Sequence, residues 1–188
     1  MVKLTKGGNV CLKKEAPNLK KIRVGLGWDP IKKLFGSTFD LDASIICIDS
    51  NGRKSEIVYF GNKSDRAGAI KHFGDNLTGD GEGDDEVISV DLDRVPESIQ
   101  KLSVIINIYN AHSKKQDFGQ VKNTFVRILD DSNGKELVRY DVEGQYKGAT
   151  GMFVADIYRY NGEWKIKALG EGVNVSSIED MATMKCSR

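Results

Sequence analysis

Residues Asn123 to Val142 read Asn-Thr-Phe-Val-Arg-Ile-Leu-Asp-Asp-Ser-Asn-Gly-Lys-Glu-Leu-Val-Arg-Tyr-Asp-Val. Two runs rich in Ile, Val, Tyr and Phe, 123–130 and 136–142, flank Ser132-Asn133-Gly134. β-Branched and aromatic side chains suit a pleated, half-buried surface. Asn-Gly is the favoured two-residue turn because both positions tolerate positive φ. The stretch therefore predicts a β-hairpin. The same pattern recurs twice: Ser50-Asn51-Gly52 separates 41–49 from 55–60, and Asn161-Gly162 separates 151–160 from 164–169. Further strands are expected at 9–12, 20–27, 87–92 and 101–109, where Lys21-Ile22-Arg23-Val24 alternates. Helical signal is thin: one turn is expected around Arg94–Ile99, with Pro96 near its start, and another at Phe118–Lys122.

About ten short strands without interleaved long helices predict an all-β fold, a two-layer β-sandwich in preference to a barrel, with one or two short helices. The 188 residues fit one domain, expected over 1–172. The tail, 173–188, loses strand patterning; a short helix around Ile178–Met184 or disorder is expected there. No internal repeat or low-complexity segment is visible.

Hydrophobic residues make up 39% and charged residues 29%, enough apolar material for a core. The N-terminus lacks an apolar signal region, and no run approaches membrane-spanning length, so a cytoplasmic location is expected. Cys11 and Cys47 sit in apolar runs and Cys186 in the tail; unpaired, reduced thiols are expected. The small basic groups, Lys13-Lys14, Lys20-Lys21 with Arg23, Lys32-Lys33 and Lys114-Lys115, read as solvated faces and give no evident nucleic-acid interface.

One segment breaks this ordinary picture. Gly74 to Glu86 reads Gly-Asp-Asn-Leu-Thr-Gly-Asp-Gly-Glu-Gly-Asp-Asp-Glu: six acids, four glycines and no base. The chain has 28 bases and 27 acids, six of them here, so the remainder carries 28 bases against 21 acids. Crowded carboxylates on a tightly turning backbone need full solvation or a cation, and oxygen-only donors suit hard cations, Ca²⁺ above all. Asp40 and Asp42 flank Leu41 at a strand start; residues two apart share a face, so both carboxylates are expected on one side and Leu41 on the apolar side. Asp29 follows Gly27-Trp28 at the preceding strand end. It sits with Asp40 and Asp42 only if 28–40 folds back, which Phe35-Gly36-Ser37 allows. These acids, with Asn76 and Thr78, suffice for one or two ions. The segment is not an EF-hand: counted from Asp80, position six is Asp85 instead of glycine and position twelve is Asp91 instead of glutamate. Nor is it a phosphate loop, because Gly79-x-Gly81-x-Gly83 has no lysine.

Elsewhere, His72 and His112 lack a partnered nucleophile or carboxylate at a telling spacing and are expected on the surface or in loops. Asn110–Gln116 reads as a polar loop. Asp130-Asp131-Ser132-Asn133-Gly134 is explained by turn chemistry without a metal. Trp28 and Trp164 are expected as core anchors.

Several motifs resemble the TerD family of tellurite-resistance and general stress proteins. They are Lys6-Gly7-Gly8-Asn9-Val10, Glu15-Ala16-Pro17, Val24-Gly25-Leu26-Gly27-Trp28-Asp29, Phe39-Asp40-Leu41-Asp42-Ala43-Ser44 and Asp75–Glu86. The resemblance continues through Val90-Asp91-Leu92, Phe118–Asn123, Arg139-Tyr140-Asp141 and Glu163-Trp164-Lys165, over roughly residues 2–172; Val173 to Arg188 departs from the usual ending. It implies a β-sandwich with acidic loops at one rim that bind two Ca²⁺ ions, and a non-enzymatic stress-response role alongside protein partners of the same system. The implied ligands are Asp29, Asp40 and Asp42, then Asp75, Asn76, Glu82, Asp84 and Asp85, with the carbonyls of Leu41 and Leu77; Thr78, Asp80 and Glu86 rank lower.

Two other functions compete. A calcium-dependent membrane adaptor resembling a C2 domain needs basic and apolar loop tips, and here only Phe73 and Leu77 lie near. A metal-dependent phosphoesterase could use carboxylates alone, but no base or positioned lysine is evident.

Overall fold

The computed structural model describes residues 2–3, 5–29, 38–73, 83–142 and 146–187. The Asn123–Val142 hairpin forms as β9 (Thr124–Asp130) and β10 (Glu136–Val142), with Tyr140 opposite Val126 and Val142 opposite Thr124. Its turn is organised around Asp130 and is not a two-residue Asn-Gly turn. Asp130 Oδ1 accepts from the Ser132 N–H at 2.9 Å and hydroxyl at 2.6 Å, and Oδ2 accepts from Asn133 Nδ2 at 3.0 Å. Only Gly134 has positive φ here (71°), and the register shifts after it. That is a longer turn closed by a left-handed glycine, as at Gly52 (75°). The expected two-residue turn occurs once, at Asn161-Gly162, where both φ values are positive (52° and 75°) and Tyr160 faces Glu163.

The remaining strands are β1 (Val2–Lys3), β2 (Asn9–Cys11), β3 (Lys21–Gly27), β4 (Leu41–Asp49), β5 (Lys54–Val58), β6 (Ile70–His72), β7 (Glu86–Asp91), β8 (Ile99–Ile108), β11 (Gly151–Tyr160) and β12 (Glu163–Val173). They form two six-stranded sheets. The first has the order β1-β10-β9-β3-β7-β6 and the second β2-β12-β11-β8-β4-β5. All pairings are antiparallel except β1 with β10. Period-two alternation turns Ile22, Val24 and Leu26 of the first sheet and Leu41, Ala43 and Ile45 of the second into one shared core. Trp28 is buried in it and Trp164 packs against it.

β4 is buried on both faces. Its outer residues Ile46 and Ile48, with Ile57, Ile105, Phe153 and Leu169, form a second cluster under Met181 and Ala182 of the helix α3 (Ile178–Cys186). Ser177 caps this helix through its Oγ to the Asp180 N–H at 3.1 Å. Two one-turn helices, α1 (Leu12–Glu15) and α2 (Ala111–Lys114), were not signalled by periodicity. The second lies within the expected polar loop, where Ala111 and Gln116 are buried. A 3₁₀ turn covers Phe118–Gln120 as expected. The turn expected at Arg94–Ile99 is not a helix: non-helical turns lead directly into β8, which Ile99 opens. Cys11, Cys47 and Cys186 are free thiols. Among the described residues no helix is long and apolar enough to cross a membrane.

Candidate functional site

β7 starts at Glu86, the last residue of the acidic segment, and its alternation turns Glu86, Ile88 and Val90 inward. A carboxylate is thereby driven between the sheets, with Glu86 1% exposed. It is accommodated because β5 pairs with β4 only from Ile45 onward. Ahead of that point the Ala43 N–H donates instead to Glu86 Oε2, at 2.5 Å. A residue of the first sheet thus caps the second. His72 Nε2 lies 3.7 Å from the same oxygen, both side chains fully buried. His72 is therefore not the expected surface histidine: β6 pairs it beside Ile88 on β7, which places its ring inside the rim. His112 is exposed, its Nε2 3.0 Å from the Val175 carbonyl.

Asp85 ties the same rim to the end of β3. Its N–H donates to the Leu26 carbonyl at 2.7 Å, and its Oδ2 accepts from the Trp28 N–H at 3.0 Å. Asp84 turns to the outer face of the first sheet. Its Oδ1 accepts from Arg127 Nε at 2.7 Å, and its carboxylate lies across Gly25, where no β-carbon fits. This bond, more than any other influence, raises the Arg127 pKa above its ordinary value.

Asp29 follows β3. Its N–H donates to the Lys122 carbonyl at 3.2 Å, and its Oδ2 accepts from Asn123 Nδ2 at 2.5 Å. On the second sheet, Leu41 enters the core as expected, while Asp40 precedes the strand and its carbonyl accepts from the Tyr109 N–H at 2.8 Å. Asp42 Oδ2 accepts from Asn107 Nδ2 at 3.2 Å. Asp40 and Asp42 are 8% and 3% exposed.

The fold therefore gathers Asp29, Asp40, Asp42, Asp84, Asp85 and Glu86 at one rim, from two sheets. It does not converge their carboxylates: among the described residues no group of three or more His, Cys, Asp or Glu side chains could hold a metal ion. Asp75, Asn76, Leu77, Thr78, Asp80 and Glu82 lie outside the described residues. What the described rim offers a cation is oxygen. Beside Asp42, the buried Asn107 Oδ1 has no hydrogen-bond partner among the described residues, an acceptor that a hard cation would satisfy. This donor chemistry, with Asp40, Asp42 and Asn107 among the described residues, fits Ca²⁺. Asn107, His72 and Arg127 were missed by sequence reasoning. Of these, only Asn107 left a signal, as a lone polar residue in the apolar run Val104–Ile108.

The TerD domain model matches residues 1–184, nearly the whole chain. The chain belongs to the TerD family. Within that family it is similar to the stress response protein SCP2 of Bacillus subtilis (strain 168), at 44% identity over 96% of each chain. It is also similar to the tellurium resistance protein TerD of Serratia marcescens, at 42% identity over 91% of this chain and 90% of that one. A crystal structure of a homologue of telluride resistance protein (TerD) from Streptomyces coelicolor A3(2) has a TM-score of 0.74 at 26% identity. It covers 89% of this chain and 98% of its own. The family match extends into α3, beyond the region over which sequence motifs alone carried the resemblance.

Proposed function

We propose that this TerD-family chain is a calcium-binding module of a cytoplasmic stress-response system that confers resistance to tellurium compounds and other stresses without catalysing a reaction. The observation that carries this reading is the rim itself. Glu86 is bonded to Ala43 and Asp85 to Trp28, at the same rim where the carboxylates Asp40 and Asp42 are buried. Crowded carboxylates at such a rim repel one another until a cation neutralises them. Ca²⁺ tolerates the irregular, all-oxygen shells that a glycine-rich loop provides. The names of its relatives supply the stress and tellurium context.

The test is calorimetric titration of the full chain with Ca²⁺ against a Mg²⁺ background. The expected result is saturation at two ions per chain with Ca²⁺ preferred, weakened by Asp42→Asn. Absence of saturable heat with millimolar Ca²⁺ rules the reading out.

One observation favours a membrane-adaptor version of the same module. Phe73, at the foot of the acidic segment, is 67% exposed, an apolar tip suited to a lipid interface. Sedimentation with anionic vesicles separates the two versions. Calcium-dependent pelleting lost in Phe73→Ala supports the adaptor, and no pelleting at saturating Ca²⁺ excludes it.

A further inference from the structure

Two segments that carry the family resemblance play no part in the metal reading: Phe118–Asn123 and Arg139–Asp141. The fold brings both to one place. At the end of β3, on the rim of the first sheet, a cavity of about 660 Å³ is lined by Asp29, Lys122, Asn123, Phe125, Arg139 and Asp141 among others. That volume lies within the range of small-molecule sites, roughly 300–1,000 Å³.

Arg139 is held there in a fixed pose. Its Nε donates to Asp141 Oδ1 at 2.7 Å, and its guanidinium carbon lies 3.9 Å from the Phe125 ring centroid. Asp141 is pinned in turn by Lys3 Nζ at 2.7 Å, and these bonds hold its carboxyl below the usual carboxylate range. Stacked on one face and bonded at Nε, the guanidinium keeps its two terminal nitrogens clear of any other hydrogen bond among the described residues. Such a fork matches two oxygens of a carboxylate or phosphate. Lys122 is exposed and makes no ion pair among the described residues, which adds a second cation. Among the described residues the Asp29 carboxylate accepts from the amide of Asn123, whose left-handed backbone (φ 52°) follows the 3₁₀ turn. A carboxylate accepts several hydrogen bonds, so Asp29 retains capacity for a donor.

The charges are mixed, with a net excess of one base. Lys122 and Arg139 face Asp29 and Asp141, and Lys3 offsets Asp141. A purely anionic guest would meet Asp29, whereas a guest with an anionic group and a donor uses every side chain. We propose that this cavity binds a small organic acid that also carries a hydroxyl or ammonium group, its acid oxygens on Arg139 and Lys122 and its donor on Asp29. Only Asp29 is shared with the metal site, so the two readings fail separately.

The test is calorimetric titration of the full chain with L-malate, L-serine and glycerol 3-phosphate, with acetate as the single-function control, in chelator and in Ca²⁺. Saturable binding of at least one of the three, tighter than acetate, is expected. It should weaken roughly tenfold in Arg139→Gln, the loss of one charge-assisted contact, and weaken in Lys122→Ala. If Arg139→Gln does not fold, Lys122→Ala carries the test alone, since its exposed side chain makes no ion pair among the described residues. Absence of saturable binding by all three at millimolar concentration overturns the proposal. So does affinity unchanged in both variants, or binding that requires Ca²⁺ and ignores both, which would place the acid on the metal. Acid binding that persists in a chain unable to bind Ca²⁺ sustains it.

Discussion

Gly25 carries more of the rim than its missing side chain suggests. The Asp84 carboxylate crosses it to reach Arg127, and a β-carbon there would overlap that carboxylate. Gly25→Ala is therefore expected to cost ~1–3 kcal/mol, the usual range for overpacking, read as a lower urea midpoint; an unchanged midpoint would mean that Asp84 lies elsewhere. Cys47 gives a pH prediction. Burial first, then the charges of Glu56 and Asp65, push its thiol up to about 12 from 9.0. Because the folded pKa is raised, its contribution to stability is complete below the unfolded value and is lost as pH rises from 9.0 towards 12. The thiolate is the nucleophile, so native Cys47 should resist iodoacetamide at pH 9.0 while half-buried Cys11 and Cys186 react. Peptide mass mapping checks this, and labelling of Cys47 as fast as Cys11 contradicts it. At this scale the acids were legible because composition reports charge directly. The pairing of His72 with Glu86 was not, because nothing local to either residue indicates that β6 lies beside β7.

The element that changes the reading most is α3. Sequence left the tail open between a short helix and disorder, since the segment is short and only weakly amphipathic. Its partner explains its order: the outer face of the second sheet presents Ile46, Ile48, Ile57, Ile105, Phe153 and Leu169, and Met181, fully buried, sits on them. Lys185 Nζ bonds Asp156 Oδ2 at 3.0 Å from the helix end. Met181→Ala is expected to destabilise by ~2–5 kcal/mol, as large-to-small core changes do, measured by urea unfolding; a loss below about 0.5 kcal/mol, the range of surface substitutions, would show that α3 does not dock. Removing 177–188 uncovers the six apolar residues and should produce self-association in sedimentation velocity. The hairpins were legible in their strands but not in their turns. Asn-Gly marks a reversal, yet the Asp130 bonds select a longer turn at Gly134, while Asn161-Gly162 keeps the two-residue form.

For the molecule as a whole, charge and fold meet at one rim. Binding to the folded chain alone stabilises it by RT ln(1 + [L]/Kd), about 2.7 kcal/mol at a hundredfold excess over Kd. Thermal melts should therefore rise with Ca²⁺ concentration and fall back with chelator. Added monovalent salt should recover part of the loss by screening carboxylate repulsion. Equal midpoints in millimolar Ca²⁺ and in chelator would remove the metal from the account.

By itself the sequence determined the class of fold, the positions of the long strands and the chemistry of the acidic segment, because these depend on local periodicity, turn residues and net charge. Only the tertiary structure decided which strands are neighbours, and hence that Glu86 reaches Ala43, that Asp85 holds Trp28, that Asp84 turns away to Arg127, and that Asp29 joins Arg139 and Lys122 around a cavity. The physical reason is that a strand's alternation fixes which side chains share a face, while the order of strands across two sheets, which no local pattern encodes, fixes what those faces meet.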